Sequence, residues 1–402
     1  MKPVSFMASA IMLLVLPFYA QAQGRISPIP ENPSTAPQIE LDGTGIATLA
    51  FQNRKSTSGS ATQFDFSDSS LMLGISQRLL KSGAVGSFVA GVTTTDQTES
   101  SSATSLLLSQ LYLDYQNRSM DAYLGRNGVQ TKLFDFPTLR GSDLNEFVNV
   151  LDPFSNGVIT DESRYSDTAG IQWNHKLHYF MDLHLQHLLT TAAPYAGQTG
   201  INSYGVTLKY EAAPELTAIS KVPFWGAGYE RQTIGTAQGG ASNILYGGII
   251  YNIVPSPINR LDLRLQDIYS FSNGLSSISS VPDTFRAASN SVAASLRFLH
   301  QVQGMPGYEI ALTGGYRSYN NFTHANTYAL ALTGTKRLGV GFDLITQYTF
   351  QHRESLYASA LGVPKDESRI ELGFVFNFEN TFNPHIGPRR TLQNLQHQYI
   401  PE

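Results

Sequence analysis

The sequence predicts an all-β protein: a transmembrane antiparallel β-barrel of about 16 strands whose long third outer loop folds into the lumen. Three observations predict it. Apolar and polar residues alternate with period two in run after run. The connections between these runs are alternately long and short. One connection, from Gly128 to Asp167, is dense in charge and far longer than a structureless loop in a compact domain should be.

Composition agrees with that reading. The 402 residues include 34 Gly, 20 Tyr, 22 Phe and 2 Trp, and only 14% are charged. Mean hydropathy lies near zero, as expected when each strand carries one apolar and one polar face. After the first residues there is no run of ~18 apolar residues, so no transmembrane helix is expected. The absence of cysteine excludes a disulfide framework, a thiolate metal site and a lipidated anchor. A formal net charge of −4 offers no basic footprint for nucleic acid. No metal-ligand spacing is present, and no cofactor is expected.

Taken in order, residues 1–22 read as a cleaved signal peptide. Lys2 supplies the positive start, Ala8 to Phe18 the apolar stretch and Ala20-Gln-Ala22 the small-x-small cleavage site. Residues 23–38, with Pro28, Pro30, Pro33 and Pro37, read as an extended periplasmic segment. The barrel is expected over 39–379. Its strands are expected at 39–52, 68–80, 84–95, 105–116, 119–127, 167–175, 177–189, 201–211, 215–232, 243–254, 258–271, 285–299, 308–318, 326–337, 339–352 and 368–379. Each is near the ~9–11 residues that a tilted membrane strand needs. Residues 380–402, with Pro384, Gly387, Pro388 and Arg389-Arg390, read as a periplasmic tail.

Several runs alternate cleanly. Tyr204, Val206, Leu208 and Tyr210 share one face, with Thr207 and Lys209 on the other. Leu261, Leu263 and Leu265 are likewise set apart from Arg260, Asp262, Arg264 and Gln266. A soluble sandwich would bury the apolar face, whereas a membrane barrel turns it to lipid and lines its lumen with the polar one. The connections decide between the two. Gln52–Asp68, Thr94–Thr104, Asn127–Asp167, Leu189–Gly200 and Gln232–Asn243 are long; Lys81–Gly83, Asn117–Arg118, Lys176 and Ala212–Pro214 are short. Short periplasmic turns against long outer loops mark an outer-membrane barrel, and an even strand count puts both termini in the periplasm. Aromatic residues are expected in two belts on the lipid face: Tyr115, Trp173 and Tyr210 at the periplasmic ends, and Tyr204, Tyr316, Tyr328 and Phe350 at the outer ends.

The third outer loop carries the candidate constriction. Lys132, Asp135, Arg140, Asp143, Glu146 and Asp152 lie within it, and Asp143-Leu-Asn-Glu146 has the spacing of a helix N-cap with a reciprocal acid. Facing it, the lumen-phase arginines Arg78, Arg264 and Arg297 are the expected wall. Opposed charges in a confined aqueous pore orient polar solutes and set ion preference. Two other classes compete with a pore. A barrel lipase or protease needs a nucleophile and base near the outer interface; His178 and His184 share the lumen phase, but no glycine-flanked serine accompanies them. A surface-binding barrel needs long outer loops but no inward-folded one.

On these features the chain resembles the sixteen-stranded trimeric porins of Gram-negative outer membranes. The resemblance rests on the leader, the loop rhythm and the long loop after the fifth strand. It also rests on the Gly-Arg step in Ala122-Tyr-Leu-Gly-Arg126 and the terminal strand ending Phe374-Val-Phe-Asn-Phe378. It implies a water-filled channel for passive diffusion of ions and small hydrophilic solutes, with a substrate-specific channel as the alternative. It also implies a homotrimer in contact with outer-membrane lipid and lipopolysaccharide, assembled through periplasmic chaperones and the barrel-insertion machinery. Gly43, Gly45, Ala47, Ala84, Gly86 and Ala90 would let neighbouring walls approach. No plug-sized domain precedes the first strand, which argues against energy-coupled uptake. The chain departs from the pattern by continuing past the terminal aromatic to Glu402.

Overall fold

The computed structural model describes residues 37–54, 60–65, 69–79, 84–98, 101–117, 120–128, 133–134, 136–138, 165–175, 179–188, 201–234, 241–273, 289–302, 305–319, 323–361 and 364–382. The leader 1–22, the proline-rich segment up to 36 and the tail beyond 382 lie outside the described residues.

Seventeen strand segments follow one another: β1 (Gln38–Arg54), β2 (Ser60–Asp65), β3 (Ser70–Arg78), β4 (Val85–Thr98), β5 (Ser101–Gln116), β6 (Met120–Gly128), β7 (Tyr165–His175), β8 (Tyr179–Leu188) and β9 (Ile201–Glu211). The second half comprises β10 (Phe224–Ile234), β11 (Ala241–Val254), β12 (Asn259–Asn273), β13 (Ser289–Val302), β14 (Met305–Tyr319), β15 (Thr327–Gly339), β16 (Phe342–Arg353) and β17 (Asp366–Phe382). Among the described residues two short helices, α1 (Pro214–Thr217) and α2 (Ser355–Leu361), sit in connections.

β2 lies along Thr48–Asn53 and β3 along Gln38–Thr44, so these two segments form a single stave beside β1. From β3 onward each strand pairs antiparallel with the next, and β17 pairs with β1 from Ile39 to Arg54. The pairings therefore run full circle through sixteen staves, the even count of a barrel whose termini share one end.

What lies inside and outside is inverted relative to a soluble protein. In β15 exposure alternates residue by residue, with Tyr328, Leu330 and Leu332 outward and Thr327, Ala329, Ala331 and Thr333 inward. Along β12 to β14 the buried polar positions include Asp262, Arg264, Gln266, Ser291, Ser295, Arg297, Glu309, Thr313 and Arg317, while Leu265, Leu296, Ile310 and Leu312 are exposed. Water offers no reason to expose leucine and bury arginine in this strict alternation. A lipid exterior around a polar interior does. The soluble-sandwich alternative fails on this point.

Aromatics band the outer surface. Near the short-turn strand ends Tyr179 packs on Tyr210 (5.1 Å between ring centroids) and Trp225 (6.2 Å), and Phe342 stacks on Phe374 (6.0 Å). Near the outer ends Tyr269 meets Phe271 at 5.9 Å and Tyr328 meets Phe350 at 6.1 Å. Amphipathic rings at both membrane interfaces are what anchors a barrel at a fixed depth.

Three connections and one strand end differ from expectation. The strand expected from 215 begins at Phe224, because Pro214 opens α1 and Asn252 holds that segment down by donating to the Thr217 and Ser220 carbonyls at 2.8 and 2.6 Å. β4 and β5 extend to Thr98 and Ser101, so the expected loop 94–104 is mostly hairpin. Within the expected loop 52–68, β2 continues the second stave. β17 runs to Phe382, beyond the expected 379.

Candidate functional site

The inner face of β12–β14 carries a compact charge cluster. Asp262 projects inward from β12 and receives three arginines. Arg297 of β13 donates to its Oδ2 from Nη2 at 2.7 Å and from Nε at 2.9 Å. Arg264 donates from Nε to Oδ1 at 3.3 Å, and Arg260 Nε lies 3.4 Å from Oδ2. Arg297 Nη1 also lies 3.5 Å from Glu309 of β14. Strand register makes this possible: Asp262 stands directly opposite Arg297 across the β12–β13 ladder, and Arg260 and Arg264 flank Asp262 two residues away on the same face. Three guanidinium groups against two carboxylates leave an excess positive charge on this wall.

Farther round, the inner face alternates in sign. Arg337 pairs with Asp343 at 3.4 Å, Arg353 with Glu367 at 3.2 Å and Arg369 with Glu371 at 3.2 Å. Glu40 and Asp42 of β1 and Asp114 of β5 are buried on inward positions. In a ring of sixteen, the fourth stave stands half-way round from the twelfth. Asp114 of β5 therefore occupies the wall opposite Arg297 of β13.

The third outer loop enters this interior. It leaves β6, the fifth stave, where Gly125 has φ = 136°; a Cβ there would collide with the Leu111 carbonyl oxygen of β5. That conformation is glycine's, and it places glycine directly before Arg126 at the loop's root. Leu133, Phe134 and Phe136 are then buried against β10 and β11, the ninth and tenth staves. The Phe134 ring meets Phe224 edge-on with centroids 5.4 Å apart, and Phe136 lies 5.4 Å from Phe134. Glycines make the seat. A Cβ on Gly226 would come within 3.0 Å of Leu133 Cδ2, and one on Gly248 within 2.8 Å of Phe134 Cε1. Phe224, Gly226 and Gly248 all hold inward positions, since Trp225 between the first two is 37% exposed on the outer face. The described part of the loop, Leu133, Phe134 and Phe136, therefore lies inside the barrel against the ninth and tenth staves.

The expected constriction residues fall differently with respect to this frame. Arg264 and Arg297 are brought together around Asp262. Arg78 ends β3 at the short-turn rim, exposed, on the second stave and away from that cluster. Lys132, Asp135, Arg140, Asp143, Glu146 and Asp152 lie outside the described residues. Sequence reasoning missed the anchor Leu133-Phe134 with Phe136. Its signal was an apolar patch inside a charged stretch, matched by glycines at inward positions 226 and 248. It also missed the pairing of Arg264 and Arg297 with Asp262, which depends on register between strands.

Among the described residues there is no cluster of three or more His, Asp or Glu suited to a metal ion, and no helix is long and apolar enough to cross a membrane. No protein-family model matches the sequence, and no curated protein sequence matches it. Solved structures do. An anion-selective porin from Comamonas acidovorans aligns with a TM-score of 0.59 at 12% identity, covering 85% of this chain and 99% of that one. The outer-membrane channel DcaP of Acinetobacter baumannii aligns at 0.59 and 9% identity, covering 85% and 98%. OprB of Pseudomonas putida aligns at 0.55 and 11% identity, covering 87% and 95%. At such identities the likeness is one of fold, and the fold is that of the outer-membrane porins.

Proposed function

We propose that the chain is an outer-membrane channel through which ions and small hydrophilic solutes diffuse passively. The observation that carries this reading is the seating of Leu133, Phe134 and Phe136 on the inner wall at Phe224, Gly226 and Gly248. A barrel used only for surface binding has no need to bring an outer loop inside. A pore does, because an inward loop narrows the lumen and confers size selection. Sixteen staves belong to the size range that encloses an aqueous channel, and the inner face is polar.

Within this reading the loop residues Lys132, Asp135, Arg140, Asp143, Glu146 and Asp152 form the narrow zone. The arginine-rich face around Arg264 and Arg297 borders the same zone, with Arg78 at the periplasmic mouth. The signal peptide 1–22 directs export, and residues 23–38 and 380–402 lie in the periplasm. Assembly proceeds through periplasmic chaperones and the barrel-insertion machinery to a homotrimer embedded in outer-membrane lipid and lipopolysaccharide. Cross-linking in mild detergent is expected to trap a trimer; monomer alone would remove that part of the proposal.

Liposome swelling with a series of neutral sugars tests the channel itself. Proteoliposomes are expected to swell with small sugars and progressively less as solute size grows. Swelling no faster than that of empty vesicles, from protein with intact heat-modifiable mobility, would overturn the proposal.

A further inference from the structure

The lipid-facing surface of β9–β11 holds a cation with no partner among the described residues. Arg231 lies on the outward phase of β10, in line with the exposed Trp225 and Ala227 and opposite in phase to the buried Glu230. Its cross-strand neighbours are Tyr204 on β9 and Asn243 on β11, and all three lie two or three residues from the outer ends of their strands. Asn243 is already engaged, accepting from the Tyr229 hydroxyl at 2.6 Å. The Arg231 Nε is shut off from solvent and bonded to none of the described residues. A solvated arginine at a membrane interface extends its whole head group into water; this one keeps one donor in a dry position.

Beside it the outer surface is concave. A groove of about 670 Å³ crosses the lipid face of β6–β10. Its floor is low because Ala122 and Ala169 are small, Leu124 and Leu185 rise along it, and Tyr204 and Tyr229 close the end next to Arg231. In a bilayer, apolar fit alone does not hold a lipid in place, because neighbouring acyl chains are equally apolar. A guanidinium that forms a charge-assisted, forked bond to phosphate does.

We propose that this end of the wall binds a phosphorylated glycolipid of the outer leaflet, its phosphate on Arg231 and one acyl chain along the groove. The orientation rests on the outer-membrane reading above. Charge selects the ligand class: the acceptor must be anionic, and it must sit at the height of the outer aromatic belt, where Tyr269 and Phe271 continue the same row.

The test uses the full chain in detergent, with heat-modifiable mobility as the check on folding. Binding of lipid A, of dephosphorylated lipid A and of phosphatidylglycerol is measured for the wild type, Arg231→Gln and Arg231→Lys. Lipid A is expected to bind the wild type at least about tenfold tighter than it binds Arg231→Gln. Dephosphorylated lipid A should bind all three proteins equally weakly, and Arg231→Lys should recover part of the loss. Equal lipid A binding by wild type and Arg231→Gln would overturn the proposal, as would equally tight binding of the dephosphorylated form, which would reduce the site to an apolar groove. Phosphatidylglycerol binding as tightly as lipid A would overturn the assignment to a glycolipid. Channel conductance recorded on the same preparations separates this proposal from the functional one. Arg231 points away from the lumen, so conductance is expected to be unchanged in Arg231→Gln, and a non-conducting protein with Arg231-dependent binding would remove only the channel reading.

Discussion

Arg297 and Asp262 stand opposite each other across β12 and β13, joined by two hydrogen bonds of 2.7 and 2.9 Å to a single carboxylate oxygen. Both are buried, and Arg260 and Arg264 converge on the same acid. Removing the acid leaves three guanidinium groups on one wall with Glu309 as their remaining carboxylate. Asp262→Asn is expected to destabilise the barrel by about 3 kcal/mol, the usual effect of breaking a buried pair from one side. It should also move the reversal potential in a salt gradient toward anions. Urea unfolding in micelles and bilayer recordings measure the two; an unchanged reversal potential would mean that this wall does not border the ion path.

The glycine seat of the third loop gives a second expectation. A side chain on Gly226 must displace Leu133, with Lys209 and Phe224 side chains at 3.4 Å as its other neighbours. Gly226→Val and Phe134→Ala should therefore loosen the loop while leaving the ladders intact. The expected result is a larger single-channel conductance and a larger sugar cutoff in both variants, with unchanged heat-modifiable mobility. Conductance equal to the wild type would show that the anchor does not set the bore.

Fold and site were not equally legible in the sequence. Where lipid lies on one side and a polar interior on the other, period two is enforced at every position. Spacing alone thus separates Leu261, Leu263 and Leu265 from Arg260, Asp262 and Arg264. The start of β10 was not legible, because Leu216, Ala218 and Val222 keep a period-two spacing although Pro214 and Pro223 bracket a helical turn. Ion pairing was hidden for a different reason. The phase of Arg297 and Asp262 follows from local pattern, but their meeting depends on the register of two strands joined by a connection of more than a dozen residues. The loop's charges drew attention because they are rare in this chain; its anchor is apolar, and apolar residues are common here.

Asp267 offers a test of the lipid-facing assignment. It is exposed on the outward face near the middle of β12, between Gly247 of β11 and Val292 of β13. A carboxylate at that depth is unfavourable against hydrocarbon. Asp267→Leu is expected to raise stability in lipid vesicles by about 1–2 kcal/mol. A loss of stability would indicate that the wall around Asp267 is covered by protein in the assembly.

The loop acids bear on selectivity. Asp143→Asn with Glu146→Gln removes two negative charges from the proposed narrow zone, and the reversal potential should shift toward anions without loss of the fold. Unchanged selectivity and conductance would place these residues outside the pore.

A barrel of sixteen staves with an inward third loop and a polar interior should conduct. Adding the purified, folded protein to a planar bilayer and recording current at fixed voltage tests this most directly. Discrete current steps are expected, ohmic at low voltage and rising in proportion to salt concentration. A folded, membrane-inserted protein that produces no steps above the bare bilayer would contradict the channel reading.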